Sequence, residues 1–181
     1  MSAPSDAWRP LALAELRALF APLAITWWVA GGLALELFAG RSWRGHGDID
    51  AGVLRRDRDT VLRALAGWLR RDAANGMWFR RSEAEPWAFQ ILLDDADGSD
   101  WLFRRDREIR LPLSRLVLCA ADGTPYLCPE VQLLYKAKDS RARDEADFSE
   151  VAPLLGVEAR DWLRGALRRA APGHRWLERL S

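Results

Sequence analysis

The sequence predicts an α+β fold that ends in a helical C-terminal part. Three observations carry this reading. Ahead of residue 125, stretches with helical apolar spacing alternate with short runs rich in β-branched and aromatic residues. Asp97-Gly98 and Asp122-Gly123 are turn pairs of the kind that join neighbouring strands. From Pro129 onward the signals are helical alone, and proline suits the first turn of a helix. The expected division is an α/β core over residues 1–125 and a helical lobe over 126–181. A chain of 181 residues without internal repeat or low-complexity linker has the length of one domain with a helical appendage.

The elements follow in order. Leu11–Phe20 reads as a short amphipathic helix with Leu13, Leu16, Leu19 and Phe20 on its apolar face, closed by Pro22. Ile25–Ala30 reads as the first core strand, Gly31-Gly32 as a turn, and Leu33–Phe38 as a helix stopped at Gly40. Arg41–Gly47 is a loop and Asp48–Leu54 the second strand. Arg58–Ala74 reads as one long helix with Val61, Leu62, Leu65, Trp68 and Leu69 inward and Gly76 as its stop. Strands are then expected at Met77–Arg81, Trp87–Asp94, Trp101–Arg105, Glu108–Leu111 and Leu116–Cys119. Helices are expected at Pro129–Ala137, Asp144–Leu155 and Arg160–Ala170.

The chemistry concentrates between Trp27 and Leu54. Side chains alternate faces along a strand, so Asp48 and Asp50 point the same way while Ile49 points into the core. Two carboxylates on one side form an oxygen-rich site of the kind that holds Mg²⁺. A glycine pair upstream lets backbone N–H groups approach a phosphate, and the helix behind it would aim its positive end at an anion. The alternative for Asp-Ile-Asp is the exposed face of an edge strand.

These residues resemble the nucleotidyltransferase superfamily, in which Gly-Gly or Gly-Ser is followed by a spacer and Asp-hydrophobic-Asp. The run Arg41, Arg44, His46, Asp48, Ile49, Asp50 is most similar to the aminoglycoside adenylyltransferases, and a second similar block lies at residues 129–148. The resemblance implies a mixed β-sheet flanked by helices, binding Mg²⁺ and ATP or another nucleoside triphosphate. It assigns Asp48 and Asp50 as catalytic metal ligands and Gly31 and Gly32 as the phosphate cradle. It also implies that Lys136 reaches the phosphates, bracketed by the acids Asp144 and Asp147. Arg44 and His46 precede the metal strand; the arginine fork suits phosphate, and the alternative is a solvated basic loop. A third acid normally comes from a neighbouring strand. The aligned position holds Gln90, an amide, and Asp94 on the same face is the other candidate for a catalytic carboxylate.

The composition sets outer bounds. A net charge of +1 provides no field that would steer nucleic acid or membrane. The two cysteines, Cys119 and Cys128, are expected reduced and buried. No leader segment and no bilayer-length apolar run is evident, so the expected location is the cytoplasm. Most of the ten tryptophans are expected to serve packing, with a stacking platform for a base or sugar as the alternative. The function implied is transfer of a nucleoside monophosphate to a hydroxyl of a small, aminoglycoside-like acceptor, with antibiotic resistance as its consequence. The alternative is a nucleotide-binding regulator or antitoxin-like protein that kept the fold and lost turnover. Acids that could meet a cationic acceptor are Glu36, Asp94, Asp95, Asp97, Asp100 and Glu130.

Overall fold

A computed structural model describes residues 7–138 and 140–181. The front of the chain runs α1 (Leu13–Phe20), β1 (Trp27–Ala30), α2 (Gly31–Ala39), β2 (Asp50–Leu54), a 3-10 turn and α3 (Arg58–Ala64). The middle runs β3 (Leu69–Ala73), β4 (Gly76–Arg80), β5 (Phe89–Asp97), β6 (Asp100–Leu102), β7 (Arg110–Pro112), α4 (Leu113–Leu116), β8 (Val117–Cys119) and β9 (Pro125–Leu127). The back is helical: α5 (Pro129–Ala137), α6 (Ala142–Val151), α7 (Val157–Ala170) and α8 (Trp176–Arg179). The α+β class and the helical C-terminal part are as expected, and α5 has the bounds expected from the sequence.

The main sheet has the order β3-β4-β5-β2-β1-β9-β8, with β6 and β7 branching from the far end of β5. It is mixed: β2 and β5 run parallel, as do β1 and β9, and the other neighbours are antiparallel. Ala51, Val53, Phe89 and Ile91 are fully buried on one face of the central strands. The other face carries Trp28, Asp50, Gly52, Leu92 and Asp94 beneath α5, and this face holds the cleft. β9 straddles the expected lobe boundary after residue 125, so the helical part begins at Pro129, directly behind a sheet strand. Three residues between two turn signals are too few to show a period, which is why β9 is invisible in the sequence.

Three local expectations need correction. The long helix over 58–74 stops at Ala64, and Leu69–Ala73 is an exposed edge strand paired with β4. Leu65 and Trp68, expected on one helical face, are buried instead from a turn. The Asn75-Gly76 step belongs to a hairpin, and Gly76 is glycine because a Cβ there would run into the Ile91 carbonyl. The glycine pair is the first turn of α2 rather than a loop before it, with Gly31 at φ +73. Of the cysteines, Cys128 is buried as expected, whereas Cys119 is exposed on the outermost strand, β8. Gly40 closes α2 in the left-handed conformation, as its position suggested.

Candidate nucleotide site

A cleft of about 360 Å³ opens between the polar face of β1, β2 and β5 and the helices α5 and α6. It brings together Gly31, Gly32, Arg44, Asp48, Asp50, Asp94 and Lys136, seven of the eight expected site residues. His46 stands behind Arg44, its Nδ1 3.2 Å from the guanidinium. Gln90 does not line the cleft.

The second strand is shorter than expected: β2 begins at Asp50, and the exposed Asp48 sits just ahead of it. Asp50 lies inside, opposite Ala30 across the β1–β2 ladder. Its Oδ1 is buried without a hydrogen-bond partner among the described residues. Its pKa is pushed up to about 7, first by burial and then by the charge of Asp48, while Lys136 and Arg143 pull it back. A buried carboxylate oxygen with no donor, beside a second carboxylate, is the electrostatic demand a cation satisfies. No group of three or more potential metal-binding side chains occurs among the described residues. The pair alone still fits Mg²⁺, which is commonly held by one or two carboxylates together with substrate phosphates.

The glycines owe their identity to tertiary neighbours as well as to the turn. A Cβ on Gly31 would come within 2.8 Å of Asp50 Oδ2. A Cβ on Gly32 would occupy the space of the Arg44 guanidinium and the His46 ring. The Gly31 N–H donates to Gln132 Oε1 at 2.7 Å, so this donor is taken up by α5.

Arg44 and Lys136 meet in one buried network. Arg44 grips Asp147 with two prongs, Nε to Oδ1 at 2.9 Å and Nη2 to Oδ2 at 3.0 Å. Lys136 Nζ lies 2.8 Å from Asp144 Oδ1 and 2.9 Å from Asp147 Oδ2. The acids bracket the lysine, as the resemblance implied. Burial alone would raise the pKa of both acids. It is outweighed at Asp144 by Arg141 and Lys136, and at Asp147 by Arg44, Lys136 and Trp43, so both stay below the ordinary carboxylate range.

Glu36, expected as a candidate for a cationic acceptor, instead organises the loop that presents Arg44. Its carboxylate accepts from Ser42 Oγ and from the N–H groups of Trp43 and Arg44, and it lies 3.1 Å from His46 Nε2. Burial opposes its charge, yet these donors hold its pKa below normal. The other acids proposed for an acceptor are mostly engaged elsewhere. Asp95 pairs with Arg55, Asp97 with Arg110 and Glu130 with Arg115. Only Asp94 of that group lines the cleft.

The β2–β5 register locates the third-acid positions. Gln90 is level with Asp50, Leu92 with Gly52, and Asp94 with Leu54. Asp94 is thus four residues beyond the level of Asp50, about 13 Å along the strands. It accepts the Tyr135 hydroxyl at 2.6 Å, and burial leaves its pKa raised despite Tyr135 and Arg104. Between them, Gly52 makes room for the Trp28 indole, whose buried Nε1 has no partner among the described residues. Trp28 is the one tryptophan lining this cleft among the described residues. The others pack, as expected: Trp68 edge-on to Phe89 and Trp176 stacked on Phe148, for example.

The sequence pattern of the aminoglycoside-2''-adenylyltransferases matches residues 12–83, which hold the glycine pair and both aspartates. Among solved structures, the crystal structure of ANT(2'')-Ia in complex with adenylyl-2''-tobramycin aligns with a TM-score of 0.64 at 15% identity. That alignment covers 88% of this chain and 97% of that one. The chain has the nucleotidyltransferase fold. The lincomycin-bound lincosamide adenylyltransferase LnuA aligns with a TM-score of 0.60 at 19% identity, over 79% of this chain and 96% of that one. A nucleotidyltransferase-like protein from Paracoccidioides brasiliensis aligns at 0.53 and 16%, over 93% and 89%. No curated protein matches by sequence. The resemblance to the aminoglycoside adenylyltransferase branch therefore rests on the front of the nucleotidyltransferase fold and on its overall topology. Sequence reasoning passed over Gln132 and Tyr135, although with Lys136 they sit at i, i+3 and i+4 on one face of α5, a spacing that marks shared direction.

Proposed function

We propose that this chain transfers a nucleoside monophosphate, AMP from Mg·ATP, to a hydroxyl of a small molecule. The observation that carries the reading is the Asp48–Asp50 pair, with an unpartnered buried oxygen on Asp50, set against the N-terminus of α2 in an open cleft. Asp48 and Asp50 would hold Mg²⁺, which would supply neutralisation of the charge on the reacting phosphates. Gly31 and Gly32 let Asp50 and Arg44 pack against the first turn of α2, whose positive end lines the same cleft as the phosphates would. Arg143, Arg141 and Lys136 line the same wall and offer positive charge to a leaving pyrophosphate. The acceptor oxygen bonds to the α-phosphorus as the α–β phosphoanhydride bond breaks. Pyrophosphate leaves with the bonding electron pair, and the hydroxyl proton passes to water in the open cleft. The family whose pattern matches residues 12–83 is named for aminoglycoside acceptors, and that match ends before the far part of the cleft.

Binding of Mg·ATP measured by calorimetry tests the site. Asp48→Asn combined with Asp50→Asn should abolish Mg²⁺-dependent binding in a protein that remains folded. Unchanged affinity in that variant removes the site assignment. A second reading, a nucleotide-binding regulator without turnover, draws on one observation: the residues nearest the Asp50 level on β5 are Gln90 and Leu92 rather than acids. Tight Mg·ATP binding without pyrophosphate release to any acceptor is the outcome that reading expects.

A further inference from the structure

The far end of the cleft, away from Asp48, is built by Leu92, Asp94, Arg104 and Tyr135. It lies beyond residue 83, where the family match stops, so its chemistry has to be read from this chain alone. Six basic and four acidic side chains line the cleft as a whole. Of the acids, Asp48 and Asp50 form the proposed metal end, and Asp144 is held by Lys136 and Arg141. That leaves Asp94 alone to face an acceptor, and one of its oxygens already accepts the Tyr135 hydroxyl. Burial further disfavours its charged form.

Arg104 stands next to it. Its guanidinium lies over the Tyr135 ring, 4.7 Å from the centroid, and makes no ion pair or hydrogen bond among the described residues. A guanidinium held on an aromatic face keeps its in-plane donors available for a carboxylate or phosphate. A polycation bound here would place several ammonium groups against Arg104 with one half-engaged acid to offset them, which costs affinity through like-charge repulsion and desolvation.

We propose that the acceptor is a hydroxylated compound bearing a carboxylate or phosphate, which Arg104 binds, and that it is not a polycationic aminoglycoside. This inference rests on the nucleotidyl-transfer reading and narrows its substrate class. Apolar contact with Leu92 is left for the carbon skeleton, and Asp94 with Tyr135 offers hydrogen bonds to its hydroxyls.

The test loads the full chain with Mg²⁺ and a non-hydrolysable ATP analogue, then titrates acceptor probes by calorimetry. The probes are gluconate, glucose 6-phosphate and tobramycin. At least one anionic probe should bind ten times more tightly than tobramycin. Arg104→Gln should weaken that probe about ten- to hundredfold, and Arg104→Lys should recover part of the loss. Carboxylate and phosphate sources are separated by which of the two anionic probes binds. Tighter binding of tobramycin overturns the proposal, as does failure of both anionic probes to bind, or indifference of the bound one to Arg104→Gln. Failure of the nucleotide analogue to bind in the first step counts against the nucleotidyl-transfer reading instead, so the two failures are distinct.

Discussion

At the scale of single residues, the cleft is organised around groups whose charge is uncompensated until something binds. Asp50 is the clearest. Its folded pKa of about 7 lies above the ordinary 3.8, so the folded chain holds a proton there that the unfolded chain has released. Stability therefore falls as pH rises between those values, and the full cost of the buried charge is present above about 7. Asp50→Asn should stabilise the metal-free protein at pH 8 by about 1–2 kcal/mol, roughly 2–8 °C in Tm, with a smaller gain near pH 5. Thermal denaturation at the two pH values checks this, and equal shifts would show that the charge is not what the site resists. Gly32 makes a second residue-scale case. Gly32→Val must displace Arg44 from Asp147 and crowd His46, so it should weaken nucleotide binding and stability together. Gly67 has open space around it, so Gly67→Ala should change neither.

At the scale of elements, α5 is the bar that joins the two ends of the site. Gln132 ties it to the first turn of α2, Lys136 ties it to α6, and Tyr135 ties it to β5 through Asp94. Tyr135→Phe leaves Asp94 buried and short of its donor, which should cost about 1–3 kcal/mol in urea unfolding. Lys136→Ala acts at the other side of the same helix. It leaves Asp144 and Asp147 dependent on Arg141, Arg44 and Trp43, and should cost about 2–3 kcal/mol, roughly 4–12 °C in Tm. If the lysine also meets the triphosphate, ATP affinity should fall about ten- to hundredfold while adenosine affinity holds. Calorimetry with both ligands separates grip on phosphate from support of the helix, since equal losses for the two would leave only the second. The β3–β4 hairpin contributes nothing to the cleft. Its exposed outer strand should exchange its amide hydrogens well before β2 and β5 do.

For the whole molecule, the cleft lies between the sheet and the C-terminal helices, so a ligand there contacts both. Binding to the folded state alone raises stability by mass action, about 2.7 kcal/mol at a hundredfold excess over Kd. Mg·ATP should accordingly raise Tm by roughly 5–11 °C, and chelation of Mg²⁺ should cancel most of the gain. A stabilisation by ATP that survives chelation would place the nucleotide away from the carboxylate pair. Among the described residues no helix is long and apolar enough to cross a membrane.

What the sequence determined by itself was the chemistry that sits close together along the chain. Gly31-Gly32, Asp48 and Asp50 are joined by one helix and one loop, and α5 declares its bounds through Pro129 and its apolar spacing. Local pattern is enough in such cases because a turn, a cap or a strand alternation is decided within a few residues. Only the tertiary structure decided the rest. Residues 65–74 kept enough helical spacing to read as a helix, but pairing with β4 outweighed that weak propensity, and β9 was too short to show any pattern. The same holds for Glu36, a candidate for meeting a cationic acceptor until loop 41–47 is seen folded onto it, and for Arg44, whose fork closes on Asp147 from more than a hundred residues away. The position of Asp94 relative to Asp50 is a matter of strand register, and register is fixed by which faces are buried across the sheet, a property no single strand carries.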